Sequence, residues 1–162
     1  MNAQTTDQTT DQATGQPSGD RTPRVVFACV RNGGRSVIAR VLTEHYARGQ
    51  VVALSAGTQP GERIHPEVAH ALAQLGLDTS RERPQQLTPE MVAASDLAIT
   101  LGCGEACPYV PGVTYRDWPV DDPGGQDDAT VRRIVADLDI RVRDLLHELA
   151  PDFPLAPSVL IP

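Results

Sequence analysis

The chain has 162 residues, with 14 basic and 21 acidic side chains and a formal charge of −7. That length suits one domain with room for a core, and the acidic balance excludes the clustered basic surface that holds nucleic acid or an anionic membrane. No apolar run is long enough to cross a bilayer, and residues 1–23, rich in Gln, Thr, Asp and Gly, lack the apolar centre of a signal peptide; a cytoplasmic protein with a disordered tail over 1–23 is expected.

Arg24 to Ala28 reads as a buried strand and Ser36 to Arg48 as a helix on which Val37, Ile38, Val41, Leu42 and His45 share one face. Between them lies Cys29-Val30-Arg31-Asn32-Gly33-Gly34-Arg35-Ser36. A strand that feeds a helix through a Gly-containing loop points backbone N–H groups and the positive helix end at one spot, the arrangement that holds an oxyanion. Cys29 opens this loop and Arg35 closes it. The groups that bind an anion also favour a thiolate, so one loop can carry both a nucleophile and the receptor for its target. The competing reading of Cys29 is an inert, buried strand thiol; the succession of strand, Cys, five residues, Arg-Ser and helix favours the anion loop.

Val51 to Ser55 is a second short strand, ended by Ala56-Gly57-Thr58. His65-Pro66 starts a helix to Leu75, with Val68, Ala71, Leu72 and Leu75 inward and Gly76 as its stop. Thr88 to Ala94 suits another helix, capped by Thr88 with Pro89 in the first turn. Asp96 to Leu101 is a third strand and Val113 to Trp118 a weaker fourth. Asp127 or Asp128 opens the last helix, whose stripe is Val131, Ile134, Val135, Leu138, Val142, Leu145, Leu146 and Leu149. Strands alternating with helices predict a parallel sheet covered on both faces, with a site at the carboxyl ends of the strands, where Cys29 falls. The catalytic domain is expected over 24–150, followed by a Pro-rich tail over 151–162, packed on the surface or disordered.

Cys103 and Cys107 follow the third strand and open on the same edge as Cys29. Zinc would need two further ligands at suitable spacing, and none is present. Four residues apart, the two thiols are neighbours in one helical turn and reach disulfide geometry with local unwinding. In Asp117-Trp118-Pro119-Val120-Asp121-Asp122-Pro123, a loop carboxyl can hand a proton to a departing oxygen; the plain alternative there is an Asp-Pro turn.

Cys-x5-Arg-Ser close behind the first strand, with Asn32 three residues after Cys29, resembles the low-molecular-weight protein tyrosine phosphatase family and the arsenate reductases that share its fold. Ser55-Ala56-Gly57-Thr58, His65-Pro66, Asp96, Cys103-x3-Cys107-Pro108, Trp118 and Asp122-Pro123 are similar to those reductases in order and spacing, over Arg24 to Leu149. The resemblance implies an α/β three-layer sandwich with a four-stranded parallel sheet and an arsenate reductase of the thioredoxin-coupled type. Its catalytic residues would be Cys29, Arg35, Cys103, Cys107 and Asp122, with Asp121 the rival acid. The oxyanion would be bound by Arg31, Asn32, Gly33, Gly34, Arg35 and Ser36, with Asn32 and Ser36 also steadying the loop. No bound cofactor is expected; the reductant would be external, thioredoxin or a low-molecular-weight thiol. Arsenate would be the substrate, phosphate its analogue, and the protein a monomer. Some members hold potassium through acidic residues; Arg40 and Gln85 or Gln86 stand at the matching positions, which implies no metal site.

In the relay so implied, Cys29 attacks arsenic, Cys103 attacks Cys29 and expels arsenite, and Cys107 attacks Cys103, leaving a disulfide near the surface for an external dithiol. A phosphatase working through a phosphocysteine at Cys29 is the alternative enzyme. A binder capturing arsenite on three thiolates is the non-enzymatic alternative, and it leaves the Arg-closed loop unexplained.

Overall fold

The computed structural model of the protein describes residues 21–160; all but the last three residues of the predicted N-terminal tail lie outside that range. In chain order the elements are β1 (Arg24–Cys29), α1 (Arg35–Ala47), β2 (Val52–Gly57), α2 (Pro66–Gln74), α3 (Pro89–Ala93), β3 (Leu97–Thr100), β4 (Thr114–Asp117) and α4 (Asp128–Leu149), with a single 3₁₀ turn at Gly104–Ala106. Every predicted element forms, with ends displaced by at most two residues. β2 runs through Ala56 and Gly57, expected to end it, because these residues pair with Ala28 and Cys29.

The four strands are parallel in the order β2-β1-β3-β4. β1 therefore lies between β2 and β3, and the chain crosses over it on the way from one to the other. The loop after β1 emerges at the point where the strand order reverses, the place where open α/β sheets hold ligands.

The two faces of the sheet are unequal. Val25, Phe27, Cys29, Leu97 and Ile99 face one way, against α1, α2 and α4, and form the larger core. Val26, Ala28, Ala56 and Ala98 face the other way, covered by Leu87, Val92 of the short α3, and Cys103. Cys29 belongs to one face and Cys103, past the end of β3 and beyond the turn at Gly102, to the other.

Thr88 caps α3 by accepting from the Met91 N–H, and Asp127 caps α4 by accepting from the Thr130 N–H. On α1 the inward stripe ends in Tyr46, fully buried, while His45 is half-exposed. Tyr46 is inside because Asp139 of α4 meets it: the phenol donates to Asp139 Oδ1 at 2.5 Å. The C-terminal segment closes this network, with Ser158 Oγ donating to Asp139 Oδ2 at 2.8 Å and the Val159 N–H donating to the phenol oxygen at 2.9 Å. Leu155, Ala156, Val159 and Leu160 pack on the core, so the Pro-rich tail is seated, as far as it is described. Burial first, then the Asp139 carboxylate, raise the Tyr46 pKa above its ordinary value, which keeps the phenol a donor.

Tyr46→Phe removes a hydroxyl that serves a buried carboxylate and a backbone amide at once. The expected cost is about 1–3 kcal/mol, read as a lower urea midpoint at unchanged m. An unchanged midpoint would mean that the network contributes nothing to stability.

Candidate active site

The loop from Val30 to Gly34 is shaped by what its carbonyls do. Those of Cys29, Val30, Arg31 and Gly33 accept from the N–H groups of Thr58, Gln59, Gly61 and His65, at 2.8 to 3.0 Å. The loop's carbonyls are thereby drawn onto the β2–α2 connection. Among the described residues, none of the N–H groups from Arg31 to Arg35 donates to a backbone carbonyl. Five such donors at the start of α1, with the helix dipole behind them, are an arrangement able to hold an anion. Gly57 allows this close approach: a Cβ there would stand 2.5 Å from the Val30 carbonyl oxygen and 2.9 Å from the Asn32 nitrogen.

Asn32 takes a left-handed backbone at φ 52°, which Asn tolerates better than most residues. Its side chain is fully buried and fastens the loop from within: Oδ1 accepts from the Gln85 N–H at 2.9 Å, and Nδ2 donates to Ser36 Oγ at 2.8 Å. Ser36 Oγ lies 2.9 Å from Cys29 Sγ. Because that oxygen already accepts from Asn32, its own proton is free to point at the sulfur, the direction a thiolate acceptor needs. The side chains of Asn32 and Ser36 are therefore spent on the loop and on Cys29. What these two residues can offer an oxyanion is their N–H groups.

Arg35 is the first residue of α1, and its guanidinium is largely buried. Nη1 donates to the Val120 carbonyl at 3.4 Å, and Nη2 stands 3.9 Å from Asp122 Oδ2. The guanidinium also lies against the backbone of Gly102, where any side chain would run into it and where φ is +81°. Asp122 arrives from the loop after β4, whose Trp118 is buried with its ring 5.8 Å from that of Phe27. Asp122 Oδ1 accepts from the Gly124 N–H at 2.9 Å, and the Gly125 N–H donates to Glu67 Oε1 at 2.6 Å. That last bond holds the Glu67 carboxyl below its usual range and ties the acid loop to the start of α2.

Cys29, Arg31, Gly33, Gly34, Arg35 and Asp122 line one small cleft, together with His65. Asp121 is not among its walls. In the sequence His65 reads as the start of a helix and, with Pro66, as part of the family resemblance, with no place in the site; its N–H bond to Gly33 lays the imidazole over Gly33, Gly34 and Gly124, making it a roof of the cleft. No periodicity or spacing could have found that contact.

Cys103 and Cys107 are joined as a disulfide, their Cα atoms 6.0 Å apart across the 3₁₀ turn, and Cys29 is a free cysteine. The pair is outside the cleft. Cys103 is buried, its sulfur 3.7 Å from the Ala28 carbonyl oxygen, on the face of the sheet opposite Cys29. The expected common edge is real; a common face is not.

Residues 24–154 match the family model for low molecular weight phosphotyrosine protein phosphatase. The chain belongs to this family. Within it, a relative from Halobacterium salinarum that bears the name "Putative arsenate reductase" is 34% identical over 140 residues, covering 83% of this chain and 99% of its own length. A glutaredoxin arsenate reductase from Synechocystis is 27% identical, covering 78% and 98%. Among solved structures, a thioredoxin-dependent arsenate reductase from Corynebacterium glutamicum superposes with a TM-score of 0.72 at 39% identity; the match covers 82% of this chain and 64% of that one. The low molecular weight phosphatase fold thus carries a cysteine pair here in addition to the single cysteine of its loop.

Proposed function

We propose that the chain is an arsenate reductase coupled to thioredoxin, and the observation that carries this reading is the joined pair Cys103–Cys107 in a chain whose Cys29 is free. That pairing is the one a three-cysteine relay leaves after its last exchange. The cleft agrees: its walls are loop backbone, Arg31, Arg35, His65 and Asp122, with no apolar aromatic wall to hold an aryl ester. Inorganic oxyanions fit such a site, and arsenate shares the charge and shape of phosphate.

Arsenate would sit on the N–H groups of the loop with the Arg35 guanidinium bridging two of its oxygens. Cys29 Sγ attacks arsenic while Asp122 gives its proton to a departing oxygen, which leaves as water. Cys103 then attacks Cys29 Sγ; the electron pair of the S–As bond stays on arsenic, which falls from As(V) to As(III), and arsenite departs. Cys107 attacks Cys103, returning Cys29 as a thiolate. Two electrons from an external dithiol reopen the Cys103–Cys107 bond.

Arsenate-dependent NADPH oxidation with thioredoxin and thioredoxin reductase is the direct test, repeated with glutaredoxin and with a small thiol. The relatives' names point to both protein reductants. Oxidation with none of the three would end the reductase reading. Rapid turnover of p-nitrophenyl phosphate, unaffected by Cys103→Ser, would put a phosphatase in its place.

Asp122→Asn keeps the volume and the turn but removes the proton. Turnover should fall about a hundredfold, while inhibition by phosphate stays within a few-fold of wild type. Asp121, outside the cleft, should tolerate Asn. The reverse pattern would give the acid role to Asp121.

A further inference from the structure

The segment after the disulfide, Pro108 to Thr114, carries no charged side chain in a chain where 22% of residues are charged. Its most prominent group is Tyr109, 78% exposed, one of two large hydrophobic side chains so exposed among the described residues. Tyr109 is not loose. Its ring stacks on Tyr115 with centroids 5.4 Å apart, and the Tyr115 hydroxyl donates to the Pro108 carbonyl at 2.9 Å and accepts from the Val110 N–H at 2.6 Å. The peptide from Pro108 to Val110 is thereby clipped to β4, an edge strand of the sheet. Pro108 and Pro111 stiffen it further. An exposed aromatic held in place by such clips needs little further ordering when a partner covers it.

The two sulfurs beside this segment differ in access. Cys103 is buried beneath the sheet, and Cys107 is half-exposed, two residues from Tyr109. Cys107 is the more open of the two residues to an incoming thiolate.

We propose that Pro108-Tyr109-Val110-Pro111, with Tyr109 as its anchor, is the docking surface for a dithiol protein of the thioredoxin kind that reduces the Cys103–Cys107 disulfide. The proposal rests on the reductase reading for its biological purpose, though its chemistry can be measured without arsenate. The partner's thiolate attacks Cys107 Sγ, the Cys103–Cys107 bond breaks, and Cys103 leaves with the electron pair and takes up a proton. The partner's second thiolate then attacks its own sulfur in the mixed disulfide, releasing Cys107. The partner ends oxidised by two electrons and this chain reduced by two. A neutral, rigid, apolar segment suits such a partner because the sulfur to be attacked lies close to its chain, and no charge must be desolvated to bring the two surfaces together.

The oxidised protein is mixed with excess reduced thioredoxin, and the fall of the Cys103–Cys107 disulfide is followed by rapid quenching, alkylation and mass spectrometry. Tyr109→Ala should lower the second-order rate constant about tenfold, while reduction by dithiothreitol stays within about twofold of wild type, and Tyr109→Phe should restore the thioredoxin rate. Three results would overturn the proposal: an unchanged thioredoxin rate in Tyr109→Ala, equal slowing with dithiothreitol, or no reduction of the wild-type disulfide by thioredoxin. Disulfide reduction that follows the expected pattern in a protein that fails to turn over arsenate would remove the reductase reading and leave the docking surface standing.

Discussion

Arg35→Lys should lose about a thousandfold in kcat/KM for arsenate, with the fold intact. Removing one preorganised donor from an oxyanion site already costs about 10²–10³, and this substitution removes a planar pair. The Arg35 guanidinium is mostly shielded from water between the Gly102 backbone, the Val120 carbonyl and Asp122. A fork with five N–H groups can serve the carbonyl with one arm and still present two parallel donors to an oxyanion. A lysine ammonium in that slot must choose between them, and its shorter reach leaves space beside Gly102. Steady-state kinetics with phosphate as a competing inhibitor would separate the two losses: the inhibition constant for phosphate should rise along with the fall in kcat/KM. Activity near wild type would place Arg35 outside the site.

Most of the fold was legible because its signals are local. The stripe of α4, the Thr88 and Asp127 caps and the alternation of strand and helix each depend on residues a few positions apart, and all are present. The anion loop was legible for the same reason, since Cys29, the glycines and Arg35 lie within one turn of chain. What stayed hidden depends on contacts between distant segments. Asp139 looks out of place on the apolar face of α4 until Tyr46 and Ser158 meet it. His65 joins the cleft only through a backbone bond across to Gly33. The placement of Cys103 follows from the turn at Gly102, which breaks the strand alternation and carries the chain from the Leu101 face to the opposite one. A sequence shows that two cysteines share an edge; which side of the sheet each one faces depends on the turn between.

That separation would make the proposed relay a conformational step as well as a chemical one, and it sets the largest expected effect. With Cys107→Ser, one arsenate turnover should occur per molecule, because Cys29 and Cys103 suffice to expel arsenite, after which the protein should stop as a Cys29–Cys103 disulfide. With Cys103→Ser, even the first turnover should fail unless an external thiol replaces it. Multiple turnover with thioredoxin should be undetectable in both. For wild type the sulfur of Cys103 must leave its seat near the Ala28 carbonyl and come round the carboxyl ends of β1 and β3 to reach Cys29. The hinges stand on either side of it: Gly102 at φ +81° and Gly104 at φ +56° hold a backbone that other residues rarely adopt. Formation of the Cys103–Cys107 bond would then draw Cys103 back to its seat near the Ala28 carbonyl and leave Cys29 free, so the resting position of the pair would drive the reset of the site. Peptide mapping after one equivalent of arsenate should find Cys103 joined to Cys107 in wild type and Cys29 joined to Cys103 in Cys107→Ser. Sustained turnover with thioredoxin in both serine variants would leave Cys29 working without a relay, and the swing across the sheet end would have no part in catalysis.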